Sequence, residues 1–422
     1  VTPGGVATET DAATPAAREF FRTRTVAEAL AGFRPERRTP PETVPVTEAL
    51  HRVPAAPVTA PHALPGFARS TVDGYAVRAA DTYGVSEGLP GYLRVVGAVR
   101  MGAEPEVSVG PGTVASMPTG GVLPAGADAV VMIEYTQQAM ADTIEVVRPV
   151  APGEGIVRAD EDAAAGAELV PRGRPLRAQD LGMLAAAGVT GVSVYARPAV
   201  TVFSTGDEVV PPATAALRPG QVRDASAAAL AAMVTEAGGE PVPGGIVPDD
   251  RQALESAVRA ALPRSDLIVI SAGSSVGARD ETAGVVRRLG QPGIWCHGLA
   301  IRPGKPTLLA DCGGVPVIGL PGNPRSALVV FRLIGIPLVR LVGGCTAPPP
   351  EPAVRARLAR DLASATGRLD VVQVSVHDGI ATPIFGLSAL LSVLTAADGY
   401  VIIPEEATGL DAGAEVEVTL YR

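Results

Sequence analysis

Asp266-Leu267-Ile268-Val269-Ile270-Ser271 runs directly into Ala272-Gly273-Ser274-Ser275-Val276-Gly277. The first stretch is apolar without a break between its polar ends, so it predicts a strand buried on both faces of a parallel sheet. The second is a loop of small residues whose backbone N–H groups can come close to an anion. Further strands are expected over 200–204, 307–310 and 315–320. Helices are expected over 225–237, 249–262, 282–289 and 324–342. Strands alternating with helices over residues 198–344 predict a doubly wound α/β domain.

On either side the texture changes. Residues 68–150 hold short β runs between Gly/Pro turns, and residues 348–422 are again β-rich. Helical spacing marks 17–31 and 178–188, the second closing on Gly188. These two helices flank the first β module, so that module is read as an insertion. The fold class expected is therefore multidomain: a central doubly wound α/β domain, an inserted β module and a C-terminal all-β domain. The division expected is a disordered tail over 1–17, an elongated discontinuous domain over 18–50 and 156–196, the inserted module over 51–155, the α/β domain over 197–346 and the C-terminal domain over 347–422.

Bulk properties narrow the function. A chain of 422 residues with 47% hydrophobic and 19% charged residues is globular and too long for one core. A net charge of −9 argues against nucleic acid as a partner, so an anionic ligand would need a local cluster of cations. Cys296, Cys312 and Cys345 have neither zinc spacing nor an even count, which points to a reducing cytoplasm. Residues 1–17 lack the pattern of a signal peptide, and no run reaches membrane-spanning length.

Against a background rich in arginine stand one lysine, Lys305, and one asparagine, Asn323. They sit in Arg302-Pro303-Gly304-Lys305-Pro306 and Gly319-Leu320-Pro321-Gly322-Asn323-Pro324, two Gly/Pro turns at the ends of apolar runs. In doubly wound sheets ligands bind beyond the carboxyl ends of the strands. Asn323 is a good N-cap residue and Pro324 suits the first helical position, so with Ser326 this turn is expected to seat an anion. Thr205-Gly206-Asp207-Glu208, Asp249 and Asp280 bring hard oxygen donors that suit Mg²⁺. Equally ordinary readings exist for the acids: Asp249 as a helix N-terminal charge, Asp207 and Glu208 as turn residues, and Asp280 as a helix cap.

Taken together, these loops resemble the molybdopterin molybdenumtransferases, the family of bacterial MoeA and the gephyrin E domain. The resemblance spans nearly the whole chain after the tail. Ser70-Thr71-Val72-Asp73-Gly74-Tyr75-Ala76, Pro118-Thr119-Gly120 and Leu123-Pro124-Ala125-Gly126-Ala127-Asp128 match successive blocks of that family. So do Glu161-Asp162, Thr205 to Glu208, Pro248-Asp249-Asp250, Gly273 to Asp280, Pro303 to Pro306 and Leu320 to Pro324.

The resemblance implies a cytoplasmic homodimer. It also implies a reaction in which adenylylated molybdopterin and molybdate give molybdenum cofactor and AMP, with Mg²⁺. Each site would join the α/β domain of one subunit to Asp73 and Thr119 of the other. Catalytic roles are implied for Asp73, Thr119, Glu208, Asp249, Asp280 and Lys305, with Glu208, Asp249 and Asp280 as metal ligands. Gly273, Ser274, Ser275 and Gly277 would hold phosphates. Arg302, Pro306, Gly322, Asn323, Ser326 and Ser388 would complete the substrate site, with Lys305, Pro306 and Ser326 around molybdate.

The molybdopterin adenylyltransferase is a partner of the kind implied; nucleic acid and membrane are not. The alternative is a gephyrin-like scaffold on the same dimeric fold. The chain departs from the family pattern at Ser274, Ser275, Gly298 and Arg302. Arg325 stands where a small apolar residue is usual, and the segment ending at Gln373 lacks a frequent arginine. The anion side is thereby expected to be thinner than in the family.

Overall fold

The structure, a computed structural model, describes residues 23–271 and 276–421, with 276–280 as backbone only. The expected tail, the start of the helix expected over 17–31, and Gly273, Ser274 and Ser275 lie outside the described residues. Two compact units are formed. One comprises the residues up to 39, 197–343 and 349–422; the other comprises 40–196 and 344–348.

The first unit is built on a six-stranded sheet. Its strands are β1 (Ala199–Thr205), β2 (Glu240–Val247), β3 (Leu267–Ser271), β4 (Pro292–His297), β5 (Leu308–Cys312) and β6 (Val315–Leu320), in the order β2-β1-β3-β6-β5-β4. The strands β2, β1, β3 and β6 run parallel, as the continuous apolar runs require. The strands β5 and β4 are antiparallel additions, so the sheet is mixed. A cue for this was present in the sequence. Gly313-Gly314 joins β5 to β6 with φ +66° and +88°, the two positive values of a two-residue hairpin turn.

Helices cover both faces. On one face α1 (Ser226–Glu236), α4 (Pro324–Val330) and α5 (Ile336–Val342), with Phe331 between the last two, bury Leu230, Val234, Val330 and Val339 against Val200, Val202, Val269 and Ile318. On the other, α2 (Arg251–Ala261) and α3 (Val276–Val286) bury Leu254, Val258, Val285 and Val286 against Phe203, Ile268, Ile270 and Val317. The alternate residues of one strand thus serve two cores. The single helix expected over 324–342 is interrupted by a π turn, Phe331–Gly335, between α4 and α5. The amino-terminal helix Val26–Gly32, closed by a Thr25/Glu28 capping box, adds Val26, Ala29 and Phe33 to the first core.

The C-terminal segment folds into a sheet that closes on itself. Leu369–His377 pairs with Ile380–Pro383 on one side and Gly399–Ile403 on the other, and Ala353–Leu358 and Glu415–Leu420 complete the ring. A two-residue strand, Ile301–Arg302, adds parallel to Leu369 and Asp370. That pairing joins the turn before Lys305 to the barrel.

In the second unit Pro41–Pro45 pairs antiparallel with Gly191–Tyr195 and packs with the helix Ala178–Ala186. Between these halves is inserted a six-stranded sheet that carries Gly74–Val77 between Ala129–Met132 and Thr113–Met117. Gly188 has φ +73° just past the helix end, the left-handed stop expected there. Among the described residues no helix is long and apolar enough to cross a membrane.

Candidate active site

The sheet topology of the first unit puts the predicted loops on one edge. Because β1, β2, β3 and β6 are parallel, Gly206 to Glu208, Pro248-Asp249 and Pro321 to Asn323 all leave from carboxyl ends, on the edge where β3 also ends at Ser271. The strand β5 runs the other way, with Leu308 opposite Gly319, so Lys305 to Thr307 reaches that same edge. Along it the acids follow β1 and β2, and the cations lie at β6 and β5. Two to four strand spacings, roughly 10–20 Å, separate them.

The cationic end opens into a cavity of about 810 Å³. Arg302, Lys305, Arg325 and Arg368 line it together with Pro306, Asn323, Ser326 and Ser388, and Asp370 is the one carboxylate among its described lining residues. Asp370 is taken up by Arg368, whose Nε donates at 2.9 Å, and lies 3.8 Å from Arg302 Nη1. Lys305 is exposed and forms no ion pair with a described carboxylate. Its turn is fixed from behind: the Thr307 hydroxyl donates to Gly304 O at 2.7 Å, and Leu299 N–H donates to Lys305 O at 2.9 Å. Gly304 has φ +125°, and a Cβ there would meet Val330 Cγ2 at 2.3 Å. No side chain fits, so the turn needs glycine.

Asn323 corrects an expectation. It occupies the N-cap position of α4, followed by Pro324, but its side chain makes no capping bond. Instead Nδ2 donates to Ser388 Oγ at 2.9 Å. The amide therefore ties the loop before α4 to the loop of the barrel, and both lie in the cavity wall.

Arg325 is the residue sequence reasoning undervalued. Its Nε donates to Gln373 Oε1 at 2.8 Å and its Nη1 to Gly386 O at 2.7 Å. The side chain that departs from the family pattern at the start of α4 meets the residue that ends the arginine-poor segment of the barrel. The expectation of a thin anion side therefore counted one guanidinium too few. The missed cue was the pairing of two departures, which no single motif contains.

At the acidic end, one ordinary reading falls. Asp250 caps α2, its carboxylate accepting from Ala253 N–H at 2.7 Å, and Asp249 precedes it as a charge at that helix's N-terminus. Asp280 lies inside α3, which begins at Val276, so it is no cap. The side chain of Asp280 is outside the described residues. Asp249 N–H donates to Asp207 Oδ1 at 3.2 Å, linking the two acidic loops. Burial pushes the Asp249 carboxyl above its ordinary value, and the charges of Glu208 and Asp207 push it further. Among the described residues no three His, Cys, Asp or Glu side chains already form a ligand set.

In the second unit Asp73 and Thr119 stand together. Asp73 Oδ1 accepts from Thr119 N–H at 2.7 Å and from Thr119 Oγ1 at 2.9 Å. The backbone bond first, then the hydroxyl, holds the Asp73 carboxyl below the usual carboxylate range. Gly74 keeps the strand behind it tight, since a Cβ there would lie 1.9 Å from Val131 O.

Comparison with known proteins agrees with this architecture. The MoeA N-terminal region (domains I and II) matches residues 24–188, a probable molybdopterin-binding domain matches 201–341, and the MoeA C-terminal region (domain IV) matches 355–421. A molybdopterin molybdenumtransferase of Nostoc sp. is 37% identical over 72% of this chain and 70% of its own length. Molybdopterin molybdenumtransferase 2 of Mycobacterium tuberculosis is 34% identical over 90% of this chain and 94% of its own. The crystal structure of a molybdopterin biosynthesis MoeA protein from Pyrococcus horikoshii superposes with a TM-score of 0.83 at 31% identity, covering 95% of this chain and 100% of that one. The chain belongs to the MoeA family, several of whose curated members are named molybdopterin molybdenumtransferases.

Proposed function

We propose that this protein inserts molybdate into adenylylated molybdopterin and releases AMP, acting in the cytoplasm as a homodimer. The observation that carries the reading is the division of one sheet edge into an acidic end and a cationic cavity. An elongated substrate with phosphates at one end and an oxyanion acceptor at the other suits that spacing. Lys305, Pro306 and Ser326 hold molybdate, and Arg302, Gly322, Asn323 and Ser388 shape the pocket around it. Gly273, Ser274, Ser275 and Gly277 hold the phosphates.

Mg²⁺ fits the acidic end by charge. Burial, and then the charges of Glu208 and Asp207, favour the protonated form of Asp249, and a bound cation would offset both by stabilising the carboxylate. Glu208, Asp249 and Asp280 would hold it through carboxylate oxygens. Bound there, it would neutralise phosphate charge. The chain's own work is placement: the loops fix the two substrates, and Lys305 supplies positive charge at the oxyanion. Asp73 and Thr119 come from the second unit, and in the proposed dimer they complete the partner subunit's site. The molybdopterin adenylyltransferase is the enzyme class that must supply the substrate.

Purified protein with adenylylated molybdopterin and Mg²⁺ should release AMP when molybdate is added. Adenylate that stays intact at saturating molybdate would contradict the proposal.

A further inference from the structure

Arg325 is 8% exposed and lines the cavity, yet it forms no ion pair with a described carboxylate. Its two hydrogen-bond acceptors among the described residues, Gln373 Oε1 and Gly386 O, are neutral. Its Nη2 has no partner among the described residues. Arg302 repels it, and Asp370 is already engaged by Arg368. A buried guanidinium normally comes with a carboxylate, because taking an uncompensated charge out of water is costly. Burial indeed draws this one below the ordinary arginine value.

The two neutral acceptors do a second job. By holding Nε and Nη1 they fix the plane of the guanidinium, leaving the charge and one nitrogen without an acceptor among the described residues. Ser326 follows on the same helix turn and is also buried in the cavity wall. Lys305 is exposed, on a flexible stem, while Arg368 and Arg302 lie beside Asp370. Of the two cavity cations away from Asp370, one is thus held rigidly and the other is carried on a flexible stem.

We propose that Arg325 is the fixed cation of the oxyanion seat, its missing counter-charge being the bound tetrahedral oxyanion. This rests on the reading of the cavity as the molybdate end of the site and adds a binding residue to it. A guanidinium offers parallel N–H groups to two oxygens of one anion, a geometry that an ammonium cannot supply. Gln373 is then a positioning residue, acting through Arg325.

Crystals of the unaltered protein soaked in tungstate, a heavy isostere of molybdate, report the position directly by anomalous scattering. Tungsten is expected within hydrogen-bonding reach of the Arg325 guanidinium. Tungstate binding to Arg325→Gln, followed by calorimetry, should weaken roughly ten- to hundredfold, with Arg325→Lys in between. Tungsten held by Lys305 and Ser326 away from Arg325, or full affinity in a folded Arg325→Gln chain, overturns the inference but leaves the cavity reading intact. No tungsten in the cavity at saturating oxyanion removes both. The crystal experiment uses no variant, so a misfolded substitution does not blunt it.

Discussion

Lys305 stands alone as a lysine in a chain that uses arginine everywhere else, and the structure puts it in the wall of a cavity that already holds three arginines. Charge is therefore not what the cavity lacks. A compact ammonium on a flexible stem is what arginine cannot imitate. Lys305→Arg should keep adenylate binding and raise the molybdate requirement for AMP release. Losing one charge-assisted contact costs about 1.5–3 kcal/mol, or roughly ten- to a hundredfold in apparent affinity. Unchanged molybdate dependence would make the rare lysine a compositional accident. At this scale the sequence was legible where a residue was rare and its turn was unusual. It was less legible where a common residue did uncommon work. Arg325 is one arginine among many, and only its bonds to Gln373 and Gly386 distinguish it. Trp295, equally rare, packs 5.8 Å from Phe33 with Arg24 over its ring, and its role is in the core.

Elements were read best where apolar runs were continuous. Leu267–Ser271 is buried at every position, as its composition requires. Strand direction was harder, because an apolar run carries no arrow; for β5 and β6 only the Gly-Gly turn between them gives it. The helix Ala178–Ala186 shows how an element can be fixed by one side chain that periodicity ignores. Asp180 is buried and accepts from Arg174 Nη1 and Nη2 at 2.7 and 2.9 Å and from Arg177 N–H at 2.8 Å. Burial pushes its carboxyl up, but the arginine bonds outweigh that and hold it far below the usual range. Such a depressed carboxylate stabilises the fold above its unfolded value, about 3.9, and the contribution is lost as pH falls through the folded value. Asp180→Asn should cost about 2 kcal/mol near neutrality, a moderate figure because Arg177 is largely exposed. In thermal unfolding the parent's advantage should be constant above about pH 5 and shrink on acidification. An advantage that grows toward low pH would contradict this.

For the whole molecule, the order of motifs along the chain was enough to indicate the family and its multidomain fold. What no motif could carry was the charge layout of the sheet edge, because acids after β1 and β2 and cations before β5 come onto one edge only through strand order and direction. The same limit applies to Asp73 and Thr119, which belong to a different compact unit from Lys305. The central claim is that these two sets of residues serve one reaction through a shared dimer. The most direct measurement is molybdate-dependent AMP release by mixed dimers in which one subunit carries Asp73→Ala and the other Lys305→Ala. Each variant alone should be inactive, and verified heterodimers should recover up to one working site of the two. Heterodimers as inactive as either parent variant would contradict the claim.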